Sequence, residues 1–296
     1  MNIILAGATG FVGSNLGRKL IENGHEVKFI VRPGTETKIP LNNKPLVISA
    51  DPGKSLEHLR VDADLLINAI GIIREFPRKG ITFKKAHIDI TRNLVEFARS
   101  NGISRFIQIS ALGVGPHSVT GYQKSKYDAE EYIWNSGLKW TILRPSMIFG
   151  PGDHITGMFA NMIKRLPVMP VIGDGNYQLQ PVHVDDISAG VIGAIDDKRV
   201  IDKTFEIGGP EIMTFNRVLD EIGAALGRKK VKKIHQPVPL MKALSGIFER
   251  FAWFPVTGEQ ITMLLEGNFT NDRSFFDLYG IIPRKFNQSL NGLLSK

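Results

Sequence analysis

Gly7-Ala8-Thr9-Gly10-Phe11-Val12-Gly13 decides the fold. The apolar run Asn2 to Ala6 leads into it. A segment of helical spacing through Val12, Leu16, Leu20 and Ile21 leads out of it, until Gly24 stops the helix. Glycines at a strand-to-helix turn permit a tight bend and let a pyrophosphate approach the backbone. The N–H groups and dipole at the start of the helix then stabilise the anion. Any strand-to-helix turn can use glycine, so it is the β-α-β setting that makes this one a dinucleotide site. Gly7, Thr9, Gly10, Phe11, Val12 and Gly13 are its candidate contacts.

Working outward, Val27 to Val31 reads as the next strand, closed by Pro33-Gly34, and Leu46 to Ser49 and Leu65 to Ala69 read as two more. Ile88 to Ser100 has helical spacing through Leu94, Val95 and Ala98. It is followed by a strand at Phe106 to Ile109, a helix at Gly121 to Asn135 and a strand at Trp140 to Leu143. Strands that are apolar along their whole length and alternate with helices predict an α/β fold, a doubly wound parallel sheet covered on both faces. After Arg144-Pro145 proline and glycine become frequent, and helices are expected at Asp185 to Ile195 and, capped by Thr214, at Phe215 to Leu226. Asp185 and Asp186 suit the positive end of the first of these dipoles. The expected division is a Rossmann domain over residues 1–150, with residues from about 181 to 210 returning to it, and a smaller, mostly helical substrate or partner region over 151–296.

Hydrophobic residues make up 43% and charged residues 22% of the 296, which is ordinary for a chain with a real core. The absence of cysteine excludes disulfides, thiolate nucleophiles and cysteine-ligated zinc. His87, His117, His154 and His183 are scattered, so no metal is expected, and His183 is the one best placed to line a pocket. The N-terminus lacks the pattern of a secretory signal, and the longest apolar run, Leu65 to Ile73, is too short to span a bilayer. A soluble cytoplasmic protein is expected. The net charge of +8 includes the run Arg228-Lys229-Lys230-Val231-Lys232-Lys233. Without interleaved aromatics it does not suggest nucleic acid. It reads as a solvated helix end entering an edge strand, with an anionic membrane surface as the alternative. The tail from Pro237 carries Leu240, Leu244, Ile247, Phe248 and Phe251 at helical spacing, then a second apolar segment, Ile261 to Phe269. It reads as the core of the small region, with a lid, a lipid-like substrate pocket, or a peripheral membrane or protein contact as alternatives.

An NAD-specific Rossmann domain offers an acid about 20 residues beyond its glycines to bond the ribose 2′-OH. Arg32 occupies that region here, and a guanidinium pairs with a 2′-phosphate. Thr35, Thr37 and Lys38 are nearby helpers. NADP(H) is therefore the first choice of cofactor and NAD(H) the second, with a surface arginine in a loop as the plainer alternative.

The spacing G-x-x-G-x-x-G resembles the extended and atypical short-chain dehydrogenase/reductase superfamily, whose members include NAD-dependent epimerases and dehydratases. The likeness continues in Asn68-Ala69-Ile70-Gly71, in Arg144-Pro145-Ser146 through Phe149-Gly150-Pro151-Gly152-Asp153, and in Val182-His183-Val184-Asp185-Asp186. It implies that Asp51 lies near the adenine and that Ala69, Gly71 and Pro145 line the cofactor. Tyr122-Gln123-Lys124-Ser125-Lys126 fits Y-x-x-x-K, and i, i+4 spacing puts both side chains on one helix face. In the superfamily this pair implies that Tyr122 exchanges a proton with a small-molecule substrate, while Lys126 lowers the tyrosine pKa and bonds the nicotinamide ribose. Ser110 is the candidate third catalytic partner, although the superfamily's serine or threonine often falls two residues later, where this chain has Leu112. Several stretches, among them Lys203-Thr204-Phe205-Glu206-Ile207-Gly208-Gly209-Pro210, are similar to the family of NADPH-binding accessory subunits of respiratory complex I and its free-standing prokaryotic relatives. Two functions follow: an oxidoreductase or epimerase-like enzyme using Tyr122, or a non-catalytic NADP(H)-binding accessory protein of a respiratory or membrane-associated complex.

Overall fold

The computed structural model describes residues 1–36, 46–251 and 254–294. The first half runs β1 (Asn2–Ala6), α1 (Phe11–Glu22), β2 (Glu26–Val31), β3 (Leu46–Ser49), β4 (Leu65–Asn68), α2 (Ile90–Ser100), β5 (Arg105–Ile109), α3 (Gly121–Trp134) and β6 (Lys139–Pro145). Then come β7 (Ile148–Phe149), α4 (His154–Arg165), β8 (Met169–Ile172), β9 (Gln178–Leu179), β10 (Val182–His183), α5 (Val184–Ala194), β11 (Lys203–Ile207) and β12 (Met213–Thr214). The remainder is α6 (Phe215–Ala225), β13 (Lys233–Gln236), α7 (Val238–Phe248), α8 (Gly258–Glu266), α9 (Ser274–Leu278) and α10 (Phe286–Leu294).

Seven strands form one parallel sheet in the order β11-β6-β5-β4-β1-β2-β3. This is the doubly wound architecture, and its central strands are apolar along most of their length because helices cover both faces, the charged residues Glu26, Arg105 and Lys139 falling at strand starts. Successive residues of β1 show it. Ile3 and Leu5 join the core that also receives Leu16 and Leu20 of α1 with Ile187 and Val191 of α5. Ile4 and Ala6 face the opposite core, against Leu94, Phe97 and Ala98 of α2 and Ile133 of α3. The strand order turns back at β1 and β4, and the crevice beyond their carboxyl ends is where doubly wound sheets bind ligands.

A third core, built from Ile163 of α4, Val171 of β8, Leu219 and Ile222 of α6, and Phe286 and Leu290 of α10, stands beside the sheet. The basic run lies between α6 and β13, which pairs in parallel with β8. One helix differs from its expected start at Ile88: a π-helical turn, Lys84–Asp89, precedes α2. Such turns recur at functional sites because the extra residue redirects a side chain, and here His87 is directed into the interior. The apolar tail divides in two. Phe275, Phe276, Phe286 and Leu290 are buried, whereas the only buried residue of α7 is Ser245. Among the described residues no helix is long and apolar enough to cross a membrane.

Candidate functional site

The glycine turn joins three segments at distances that admit no side chain. Gly7 has φ +96°, and a Cβ there would lie 2.8 Å from the carbonyl carbon of Ala69, just past β4. A Cβ on Gly13 would lie 2.2 Å from the Gly7 carbonyl oxygen. The Gly10 amide closes the turn by donating to that oxygen at 3.0 Å. Gly10 is also the N-cap of α1, whose first turn carries no acidic residue and no side-chain cap. Its amides are thus left to an outside anion. Thr9 and Gly10 are exposed, Phe11 and Val12 half-buried. Asn15 ties the turn to the second half of the chain, its Nδ2 donating to the carbonyls of Phe11 and Pro151, each at 2.9 Å. The cradle fits a polyphosphate.

Arg32 follows β2 on an exposed loop, its carbonyl accepting from the amide of Thr35 at 3.0 Å and from the Thr35 hydroxyl at 2.7 Å. Thr37 and Lys38 lie outside the described residues. Sequence reasoning passed over Glu36, whose Oε1 accepts from the Ser49 hydroxyl at 2.6 Å and the Gly34 amide at 3.1 Å. The Ser49 bond, then backbone amides, hold its carboxyl below the usual carboxylate range. Asp51, just past β3, turns inward on its own loop, with Oδ1 accepting from the Gly53 amide at 3.0 Å.

At the other side of the crevice, Thr120 caps α3 in a reciprocal box with Gln123, which sets Tyr122 in the first turn and Lys126 one turn on. Lys126 is buried, and its Nζ donates to the Ile109 carbonyl at 3.1 Å. A Cβ on Gly71 would lie 3.2 Å from that Nζ. Gly71, Ala69 and Lys126 therefore lie around the mouth of β4. Burial lowers Lys126 to about 8, against the opposing charge of Glu130, and burial raises Tyr122 to about 12.

Beneath Tyr122 stands His87, whose role the sequence did not disclose. Its ring meets the tyrosine edge-on at 5.4 Å, and Phe83 does the same at 5.7 Å. The Ile72 amide donates to His87 Nε2 at 3.2 Å, so the ring hydrogen is on Nδ1, which donates to Ser125 Oγ at 2.8 Å. Ser125 Oγ then donates to the Tyr122 carbonyl at 2.8 Å. Burial, and next the charge of Lys126, push His87 down to about 2, so it is neutral and its polarity fixed. Carboxylates of α8 reach the same helix start. Glu259 Oε1 accepts from the Gly121 amide at 2.7 Å, and Glu266 Oε2 from Gln123 Nε2 at 3.0 Å. A cavity of about 290 Å³ lies beside them, lined by Gly113, Pro116, His117, Val119, Gln123 and Glu266.

Ser110 stands apart from this chemistry. It is buried, and its hydroxyl donates to Glu130 Oε1. Glu130 is itself fully buried and paired with Arg144, whose Nε lies 3.1 and 3.2 Å from its two oxygens. Leu112 is buried, and its amide donates to the Pro145 carbonyl at 2.9 Å. His183 caps α5, its Nδ1 accepting from the Asp185 amide at 3.1 Å, and Arg284 bonds Asp185 Oδ2 beside it at 2.6 Å.

Residues 7–158, just over half of the chain, match the protein-family model described as NAD(P)H-binding. The chain belongs to this NAD(P)H-binding family. It is a member of the short-chain dehydrogenase/reductase superfamily, of the atypical kind, and its cofactor is NAD(P)(H). This family member is 31% identical over 249 residues to NADH dehydrogenase [ubiquinone] 1 alpha subcomplex subunit 9, mitochondrial, of Arabidopsis thaliana, covering 81% of the chain and 61% of that protein. It is 30% identical over 192 residues to the ceramide reductase of Caulobacter vibrioides, covering 64% of the chain and 59% of the reductase. The chain thus spans about three fifths of the length of these curated relatives. Its fold matches that of the UDP-glucose 4-epimerase of Thermotoga maritima with a TM-score of 0.76 at 21% identity, covering 100% of this chain and 98% of that one.

Proposed function

We propose that this family member is an NADP(H)-dependent oxidoreductase in which Tyr122 is the acid–base group and Lys126 positions the dinucleotide. The observation that carries the proposal is the placement of Lys126 Nζ against Gly71, one helical turn from Tyr122, at the carboxyl end of the sheet that also holds the glycine cradle. The bound dinucleotide supplies or accepts a hydride. Gly7, Gly10 and Gly13 with the first turn of α1 hold its pyrophosphate, Ala69, Gly71 and Pro145 line its path, Asp51 lies toward the adenine, and Arg32 takes the 2′-phosphate. Residues 1–150 with about 181–210 would form the cofactor domain, and 151–296 the substrate side.

Tyr122, raised to about 12, keeps its proton at neutral pH and is set to donate it to a substrate carbonyl oxygen as negative charge grows there. Lys126 is a cation below about pH 8 and has two N–H groups beyond the one given to Ile109 for the ribose hydroxyls, while the expected lowering of the tyrosine by its charge is outweighed by burial, which raises Tyr122. The hydroxyl of Ser110 serves Glu130, so orientation of the carbonyl falls to other groups.

One observation favours a second reading. Commitment of Ser110 to the Glu130–Arg144 pair, with Leu112 two residues on, leaves the proton relay short of a member. A non-catalytic NADP(H)-binding accessory protein of a respiratory or membrane-associated complex would need no relay, and the Arabidopsis relative bears the name of such a subunit. Single-turnover oxidation of bound NADPH against quinones, aldehydes and nucleotide sugars separates the two. The enzyme loses about 10²- to 10⁴-fold in rate on Tyr122→Phe with NADPH affinity kept. The accessory protein binds NADPH and oxidises it with none of them. For the nucleotide, Arg32→Ala should weaken NADP(H) about tenfold in calorimetry and leave NAD(H) nearly unchanged, since one charged hydrogen bond is lost. Equal weakening of both would remove the 2′-phosphate contact.

A further inference from the structure

Helix α7 reads Val-Pro-Leu-Met-Lys-Ala-Leu-Ser-Gly-Ile-Phe, with Lys242 its one charged residue. A helix apolar nearly all round is ordinarily enclosed. α2, also of eleven residues, buries Thr91, Leu94, Val95, Phe97 and Ala98, whereas α7 buries Ser245 alone. Leu240 is 48% and Ile247 57% exposed. With exposed Ala243 they fall at i, i+3 and i+7, along one face.

This helix is fastened in place. Arg74, from the loop after β4, donates Nη2 to the carbonyls of Glu249 at 2.6 Å and Phe251 at 2.9 Å, and Nη1 to that of Phe254 at 2.7 Å. At its other end, Val238 Cγ2 packs 3.2 Å from where a Cβ on Gly173 would stand. A fixed helix with an uncovered apolar face has a surface to meet, and the charge around it says of what kind.

From residue 222 to residue 248 there is no aspartate or glutamate, while Arg228, Lys229, Lys230, Lys232, Lys233 and Lys242 are all basic. Lys233 is neutralised by Asp220 at 2.5 Å, and the other five are exposed. Exposed apolar residues also stand in the strand pair that leads into α7, Ile234 of β13 being 52% exposed and Leu166 and Val168, ahead of β8, 39% and 37%. Glu249 closes the far end of α7 and accepts from the Gly258 amide of α8, so the excess of cations lies ahead of the helix and at Lys242. An apolar helix face in the company of these five exposed cations suits a layer that is negative at its surface and apolar just beneath.

We propose that α7 lies in the plane of an anionic lipid bilayer, with Leu240, Ala243 and Ile247 below the headgroups and Lys229, Lys230, Lys232 and Lys242 upon them. The proposal is independent of whether Tyr122 turns a substrate over.

Flotation of the full chain with vesicles tests it. The protein should rise with vesicles of phosphatidylcholine and phosphatidylglycerol, lag with phosphatidylcholine alone, and lose binding as salt screens the cations. Leu240→Glu with Ile247→Glu should cut partitioning about tenfold or more, as should Lys229→Glu with Lys230→Glu and Lys232→Glu. Lys139→Glu, at an exposed site on β6, should leave it unchanged. NADPH affinity and melting temperature serve as controls for folding in every variant, and the salt and lipid dependence of the wild type tests the idea without any substitution. Equal recovery on neutral and anionic vesicles, or none on either, would overturn the proposal. So would wild-type self-association in light scattering that Leu240→Glu with Ile247→Glu abolishes, because the face would then belong to a second copy of the chain.

Discussion

Phe275 and Phe276 of α9 are 1% and 4% exposed, whereas Leu240 and Ile247 of α7 are 48% and 57% exposed, although both helices come from the same apolar tail. What separates them is the surface each meets. α5 presents Gly190 and Gly193 at i, i+3, and these bare positions admit rings. A Cβ on Gly190 would lie 2.4 Å from Phe275 Cε1, and one on Gly193 would lie 2.6 Å from Tyr279 Cδ1. Phe275 also packs on Phe205 of β11 at 5.1 Å, so α9 seals the edge of the main sheet. α7 meets Gly173 at its start and packs Ser245 toward Gly258 of α8 and Phe248 on Phe254, which leaves Leu240 and Ile247 outward. Apolarity selects residues for burial, but a receiving face decides which of them are buried.

The largest effect expected from this contrast is on α9. Phe275→Ala removes a ring clasped between α5 and β11, and a truncation of that kind costs about 3–5 kcal/mol. In a chain of this size each kcal/mol is worth about 2–4 °C, so calorimetry should show a fall of roughly 10 °C. A fall of only a degree or two would mean that α9 is no better seated than α7.

Much of this was legible from residues alone, and the remainder was hidden for identifiable reasons. Strands β1 to β6 each carry an apolar stretch that declares them, while polar first residues such as Glu26, Arg105 and Lys139 hid where β2, β5 and β6 begin. The glycines at 7 and 13 mark a turn because nothing larger fits there, as the 2.2 Å approach at Gly13 shows, and Gly10 between them is only crowded. The spacing of Tyr122 and Lys126 was enough to put them on one face of α3. The interior position of His87 was not legible, because its partner Ser125 is 38 residues away and a π-helical turn sets its direction. The engagement of Ser110 was hidden likewise: Glu130 is 20 residues on and meets it only when α3 packs on β5. The tail's division into covered and uncovered helices depended on the glycines of α5, far back in the chain.

His87 belongs with α9 as a buried group, but it is polar, and that makes its contribution depend on pH. Its folded value of about 2 lies below the ordinary 6.5. Below pH 6.5 the unfolded chain takes up a proton that the folded chain refuses. Stability from this residue is therefore complete above about 6.5 and falls toward pH 2, by about 1.4 kcal/mol for each unit. His87→Gln offers an acceptor to the Ile72 amide without titrating. Urea unfolding between pH 6 and pH 4 should give a slope against pH shallower by about that amount than in the wild type. Parallel slopes would place the histidine in contact with water.

The smallest effect is expected on α7, and it bears most directly on the contrast with α9. Ile247 is 57% exposed, so Ile247→Ser removes apolar surface that folding leaves mostly in water, and the urea midpoint should move by no more than about 0.5 kcal/mol in stability. A cost above about 1.5 kcal/mol would show that α7 is covered by its own chain in solution, ending the distinction from α9. With anionic vesicles present the two proteins should part. A surface that binds only the folded chain raises its midpoint by mass action, and the wild type, with Ile247 in place, gains more from it than the serine variant does. Vesicles that stabilise both equally would leave Ile247 outside the contact and move the membrane face elsewhere on the chain.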